Sequence, residues 1–487
     1  MNTTKFKHLL LVLLALLSTN LFAQIKLPKV IGSNMVLQRN QPVPVWGWAA
    51  PGKTVKVNFG NQNKATTANT AGYWKITLNA LTANSKPQSL TITADTSTIK
   101  LNNILVGEVW LCSGQSNMEY TMKLMKGYTK PFKGIDSTEQ ELSVANTAIR
   151  LFKVEKKLSL PDVTTTGWHE SSGEALEQIS AAGYYFAKNL QAKLHVPIGI
   201  ICSSWGGSRI EPWTPDWGYA ALPAFAQEAA QDTLKIDGVQ PGNYYKSMIE
   251  PLAPFALHGV LWYQGESNCL LNEPGMRYAD KMQALVNSWR KQWSNPKMPF
   301  YSVLIAPHYY TKRKDKVPHT PETLPLFWEQ QVQSARIPNT DFITVTDLVD
   351  DLNNIHPSYK WEVGRRLALV ALAKDYGFKN TIYSGPVYQR MQVKDDKVIL
   401  TFTNAVGLKT ADGQAPTFFT IAGADGNFMD AQAKIAGNTL ILSNPAVSKP
   451  TTARFAWTEI ARPNLVNGAG LPAVPFRTDG QEWSYRK

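Results

Sequence analysis

Cysteine is scarce in this chain, with three residues in 487, at Cys112, Cys202 and Cys269. A low and odd number argues against a disulfide-built scaffold, and no spacing among them suggests a zinc site. Cys112 and Cys202 each close an apolar run, which predicts buried free thiols. Long apolar runs are also missing. Beyond residue 23 nothing offers the roughly 20 apolar residues a membrane-spanning helix needs. Nor is charge of one sign concentrated. The net charge is +13, from 50 Lys and Arg against 37 Asp and Glu, yet the basic stretch TKRKDK (311–316) is short. This disfavours a nucleic-acid partner and is compatible with an anionic ligand.

The first residues, MNTTKFKHLLLVLLALLSTNLFAQ, are of another kind. Lys5 and Lys7 precede an apolar stretch from Leu9 to Leu17, and LFA precedes Gln24. This is the pattern of a signal peptide over 1–23, so the expectation is an exported protein, secreted or periplasmic. Hydrophobic content of 44% with 18% charged residues describes a globular chain. A length of 487 residues exceeds one ordinary core and predicts several domains.

The texture of the chain changes twice. From 24 to 102, short alternating stretches such as KTVKVNFG and GYWKITLNA are broken by Gly, Pro and Asn, which predicts an N-terminal β-sandwich-like domain. The same texture returns over 386–487 as a C-terminal β-domain. Between them, over 103–385, apolar runs alternate with segments of helical spacing. That alternation predicts an α/β domain with a parallel sheet and helices on both faces. In such sheets a ligand site forms at the carboxyl ends of the strands.

Four polar loops follow predicted strands. NILVGEVWL leads into Cys112-Ser113-Gly114-Gln115-Ser116-Asn117. IGIICSS leads into Trp205-Gly206-Gly207-Ser208-Arg209-Ile210-Glu211, GVLWY into Gln264-Gly265-Glu266-Ser267-Asn268, and ITVTDL into a loop ending Asn353-Asn354-Ile355-His356-Pro357. The fold brings all four to one rim. Ser116 is the candidate nucleophile there and His356 its base, because a hydroxyl needs a proton acceptor that titrates near neutral pH. The Ser116 and Gly207 amides and the Asn268 side chain are candidate donors for an oxyanion. A helix starting at Ser116 would add the positive end of its dipole. Taken singly, each has a structural alternative: a helix cap for Ser116, a tight turn for Gly206-Gly207, a loop brace for Asn268. No Gly-x-Ser-x-Gly elbow surrounds Ser116, which argues against a lipase or peptidase.

The set GQSNM, GGSRIEPW, WYQGESN and IHP, in that order, resembles the sialate O-acetylesterase family of the SGNH hydrolases. The resemblance implies a flavodoxin-like three-layer α/β/α domain that removes O-acetyl groups from sugars without metal or organic cofactor. It implies Ser116 as nucleophile, His356 as base, and Gly207 and Asn268 as oxyanion donors. Gln115, Arg209, Glu211, Gln264 and Glu266 are expected to shape the substrate pocket. 9-O-acetylated sialic acid is the first implied substrate, with Arg209 suited to its carboxylate. Acetylxylan or another plant polysaccharide is the alternative, and a non-catalytic carbohydrate-binding protein a third reading. One departure stands out: SGNH enzymes commonly carry Asp three residues before the histidine, where this chain has Asn353. Asp351 is the expected substitute partner of the ring, with Asp350, Asp347 or a backbone carbonyl as alternatives.

Overall fold

A computed structural model describes residues 24–127, 137–270, 277–313 and 317–480. The expected signal peptide and part of the basic stretch at 311–316 lie outside the described residues. Among these no helix is long and apolar enough to cross a membrane.

The organising element is one long strand, β1 (Ser97–Gly114). Its first residues alternate between exposed and part-buried, and from Ile104 onward every residue is buried. The first part pairs with Asn84–Ala94 in the N-terminal β-domain. The second part enters the central sheet, where both faces are covered and an unbroken apolar run is required. The boundary expected at 102/103 therefore falls inside a single strand, and the two units share it.

The central sheet continues with β2 (Asn146–Lys153), β3 (Trp168–Ser171), β4 (Ile198–Ser204), β5 (Gly259–Tyr263), β6 (Phe300–Val303) and β7 (Thr340–Ile343). Their order is β7-β6-β5-β1-β4-β2-β3. All neighbours are parallel except β3, which runs against β2. Successive residues of β1 and β5 face opposite layers. Val109, Leu111, Val260 and Trp262 join one core, and Trp110, Cys112, Leu261 and Tyr263 the other. Helices α1 (Ala181–Leu194) and α2 (Lys360–Lys374) pack on the second core, for example through Ala182, Phe186, Val363 and Leu367. Helices α3 (Tyr278–Gln292) and α4 (Thr323–Gln333) cover the first through Met282, Leu285, Trp289 and Phe327. This is the three-layer α/β/α arrangement. Six tryptophans are among the largest fully buried side chains, so much of the aromatic richness serves the core. The three cysteines are buried and free.

The C-terminal β-domain is built from two four-stranded antiparallel sheets and a short two-stranded one. It is tied to the α/β domain by Arg454–Glu322 and Arg477–Glu329 ion pairs at 2.7 and 2.9 Å. Arg462 also donates to the Asp350 carbonyl, in the loop that carries His356.

Candidate active site

Because β1, β4, β5, β6 and β7 are parallel, the loops after them leave the sheet at one edge. Gly114 ends β1 opposite both Ser204 of β4 and Tyr263 of β5. A Cβ at position 114 would lie 2.1 Å from the Tyr263 carbonyl oxygen, and its φ of +136° suits glycine. This close approach is why the chain turns at Gly114, and it delivers Ser116 to the rim.

Ser116 Oγ and His356 Nε2 lie 2.8 Å apart, across 240 residues of sequence. The helix starting at Ser116 is a single turn, Ser116–Glu119, so the dipole expected there is too short to matter. What remains is its first backbone amide. Neither the Ser116 nor the Gly207 N–H has an acceptor among the described residues. The 206–207 turn abuts the serine: a Cβ on Gly206 would sit 3.5 Å from Ser116 Cβ, while the Gly206 amide donates to Glu119 at 2.6 Å. Gly207 has φ +75°, and the space its Cβ would fill is open.

Among the described residues no carboxylate holds the His356 ring. Asp351 is exposed and accepts from the backbone and side-chain amides of Asn353 at 2.8 and 3.0 Å, so it does not take the role expected of it. Asp350 accepts from the Tyr359 hydroxyl at 2.7 Å, and Asp347 receives both terminal nitrogens of Arg366 at 2.8 and 2.6 Å. Each nearby acid already has a partner that points it elsewhere. His356 is instead fixed through its backbone, its N–H donating to Asn354 Oδ1 at 3.0 Å. Burial, then the Lys360 ammonium and His308, push the imidazole down to about 4. The ring is therefore neutral at pH 7 and able to accept a proton.

The other expected residues form a frame in which Gln115, Glu211, Gln264, Glu266 and Asn268 are buried and Arg209 is part-buried. Gln115 Oε1 accepts from the Gln264 side chain and from the Gly265 and Ser267 amides. Gln264 also donates to Asn268 Oδ1 at 2.8 Å. Asn268, 1% exposed, donates through Nδ2 to both oxygens of Glu211 at 3.1 and 3.2 Å. Glu211, fully buried, also receives Arg209 and Lys281, each at 2.7 Å. Arg209 further donates to the Asp237 carbonyl. Its guanidinium thus serves this frame, a different role from gripping a substrate carboxylate. Glu266 is buried, and burial raises its carboxyl above the usual range. It accepts from Asn117 Nδ2. These bonds hold the polar motif loops in register around Ser116, His356 and the 206–207 turn.

Three residues central to this frame have no role that the sequence pattern assigns. Asn117, within GQSNM, is the neighbour of Ser116. Lys360 opens α2 and looks like a solvated helix-end lysine, yet it is fully buried. Lys281 has a visible signal, since it lies on the same stripe of α3 as Tyr278, Met282 and Leu285, all buried. A charge at core spacing implies a buried partner.

A serine hydroxyl and a neutral imidazole 2.8 Å apart, beside two unclaimed amides, is a geometry that acyl transfer can use. Comparisons with known proteins agree. Residues 106–373 match the family described as carbohydrate esterase, sialic acid-specific acetylesterase. Human sialate O-acetylesterase is 28% identical over 408 residues, covering 77% of this chain and 75% of the relative. The mouse enzyme is 25% identical over 533 residues, covering 96% and 97%. The crystal structure of a carbohydrate acetylesterase from Xanthomonas citri superposes with a TM-score of 0.82 at 33% identity, over 93% of this chain and 99% of that one. The chain belongs to the sialic acid-specific acetylesterase family of carbohydrate esterases and is a carboxylic ester hydrolase.

Proposed function

We propose that the protein removes O-acetyl groups from sugars by a Ser116–His356 dyad, with 9-O-acetylated sialic acid as the first substrate class. The 2.8 Å contact between Ser116 Oγ and His356 Nε2 carries this reading. For Nε2 to accept, the ring proton must sit on Nδ1. Ser116 Oγ attacks the acetyl carbon while its proton passes to Nε2. The carbonyl oxygen becomes an oxyanion facing the Ser116 and Gly207 amides, with Asn268 as the third donor, its amide plane set by Glu211 and Gln264. His356 then protonates the departing sugar oxygen, leaving acetyl-Ser116. Water attacks this ester, giving its proton to Nε2, and acetate leaves as the proton returns to Oγ. Without a carboxylate on the ring, the imidazolium formed midway is stabilised chiefly by the oxyanion beside it.

Two expectations follow from this geometry. Asn268→Ala should lower kcat on p-nitrophenyl acetate by roughly 100- to 1,000-fold, the usual loss of one oxyanion donor. A near-wild-type rate in folded protein removes Asn268 from that role. The acid limb of kcat/KM should lie near pH 4, where His356 takes up its proton, so activity should persist as pH falls from 7 to 5. An acid limb at pH 6 or above, where an unperturbed imidazole titrates, contradicts the neutral ring.

A second substrate reading has one observation in its favour. A cavity of about 380 Å³ lies at the β2–β3 edge, lined by Lys153, Glu155, His169, Glu174 and Gln178. A narrower recess shares Lys153, Glu155 and Gln178 with it and reaches Glu119 and Ser204, next to the reaction centre. A cavity of this size at the same end of the sheet as the Glu119 recess favours an acetylated polysaccharide such as xylan, which has further sugar units to place. Acetate release from O-acetylated sialic acid and from acetylated xylan, assayed side by side, decides between them. Acetate from neither, with no turnover of p-nitrophenyl acetate, indicates a binding protein and sinks both esterase readings.

A further inference from the structure

Behind the dyad lies a buried charged group that the proton transfers do not use. Lys360 Nζ donates to Asn117 Oδ1 at 2.6 Å and sits 4.9 and 5.0 Å from the ring centres of Tyr120 and Tyr263. Asn117 Nδ2 donates to Glu266 Oε1 at 2.5 Å and to the Ile355 carbonyl at 3.1 Å. The Asn117 amide thus joins three of the four motif loops: it follows Ser116, touches Glu266, and grips the residue before His356. Lys360, Asn117 and Glu266 are all buried. An unpaired ammonium or carboxylate is costly there, so the three hold one another in a single arrangement. The other acids near His356 do not substitute for this link. Asp347, Asp350 and Asp351 are turned to Arg366, Tyr359 and Asn353, and Glu119 to Gly206 and Lys156.

We infer that Asn117, clamped between Lys360 and Glu266, is a positioning residue that holds His356 Nε2 on Ser116 by gripping the backbone at Ile355, in place of a carboxylate on the ring. This rests on the dyad reading above. Lys360 has a second effect, because its ammonium disfavours a proton on His356. Burial in turn lowers Lys360 itself to about 7, with Glu266 opposing that shift. His308 is the other titratable group acting on the ring, in the same direction as Lys360.

The test uses the full chain with Lys360→Met and Asn117→Asp. Lys360→Met removes the donor and the charge at similar length. Asn117→Asp keeps the acceptor facing Lys360 and loses the donor to Ile355. Both should lower kcat on p-nitrophenyl acetate by roughly 10- to 100-fold, the scale of a misplaced catalytic group, with KM within about twofold. In Lys360→Met the acid limb should also move toward neutral pH. Wild-type kcat and acid limb in both folded variants overturn the inference. So does a loss of activity that only parallels a loss of folded protein, with the limb unmoved. If Lys360→Met fails to fold, Asn117→Asp decides through kcat. The His356 ring titration, followed by NMR in histidine-labelled protein and assigned with His356→Asn, needs no substrate. A midpoint raised by Lys360→Met in a protein without esterase activity supports the Lys360–His356 coupling and sinks the function reading alone. An unchanged midpoint removes the Lys360–His356 coupling, and a wild-type kcat in folded Asn117→Asp sinks the positioning role.

Discussion

Ser116→Ala should cut ester hydrolysis by on the order of 10⁵- to 10⁶-fold in kcat, the scale seen when a serine nucleophile is removed. The fold should not notice. Among the described residues the one side-chain bond of Ser116 goes to His356, and its deletion leaves the imidazole nitrogen at a half-buried position that water can satisfy. The thermal midpoint should therefore stay within a degree or two, since surface changes typically cost about 0.5 kcal/mol or less. His356→Ala should lose a comparable factor, and the double variant little more than either single one, because the two groups act on one proton. Acetate release measured with burst-phase kinetics separates this from a binding defect. Acetate release within tenfold of wild type from Ser116→Ala would assign the chemistry elsewhere.

Lys281→Met carries the largest expected effect on stability, about 3–5 kcal/mol, the usual result of removing one member of a buried ion pair. Lys281 and Glu211 are both fully buried, and Lys281 Nζ bonds Glu211 at 2.7 Å and Asp237 at 2.5 Å. Without the ammonium, Glu211 keeps Arg209 and Asn268 but faces a low-dielectric interior with less compensation. Because Glu211 orients Asn268, turnover should fall as well. The double variant Lys281→Met with Glu211→Gln should recover part of the stability, since it removes both charges together. Denaturant midpoints followed by tryptophan fluorescence report this, as Trp213 and Trp289 are in the same core. A midpoint equal to that of wild type would show that water reaches this network and that the burial is only apparent.

Much of the site is legible in the order of the residues. Strand–helix alternation with polar loops after the strands is a local pattern, and a parallel sheet has one carboxyl edge, so the loops that carry Ser116, Gly207, Asn268 and His356 leave the sheet at the same edge. The same logic places the β-domains, although the alternation that runs unbroken into an apolar stretch at Ile104 joins two units through one strand. Expectations drawn from residue type alone fare differently. Arg209 suits a substrate carboxylate, and it serves a buried glutamate. Asp351 lies five residues from His356, and it belongs to an Asn353 turn.

The amino-acid sequence by itself determined which residues reach the rim, because periodicity is written in neighbouring residues and the parallel sheet converts it into position. Only the tertiary structure decided what each polar residue does on arrival. Whether an amide, a lysine or a carboxylate meets substrate or another side chain depends on burial and on partners far away in the chain, as with Asn117 and Lys360 at 243 residues' separation. In the low-dielectric interior those partners set the charge and direction of every group, and no local pattern encodes them.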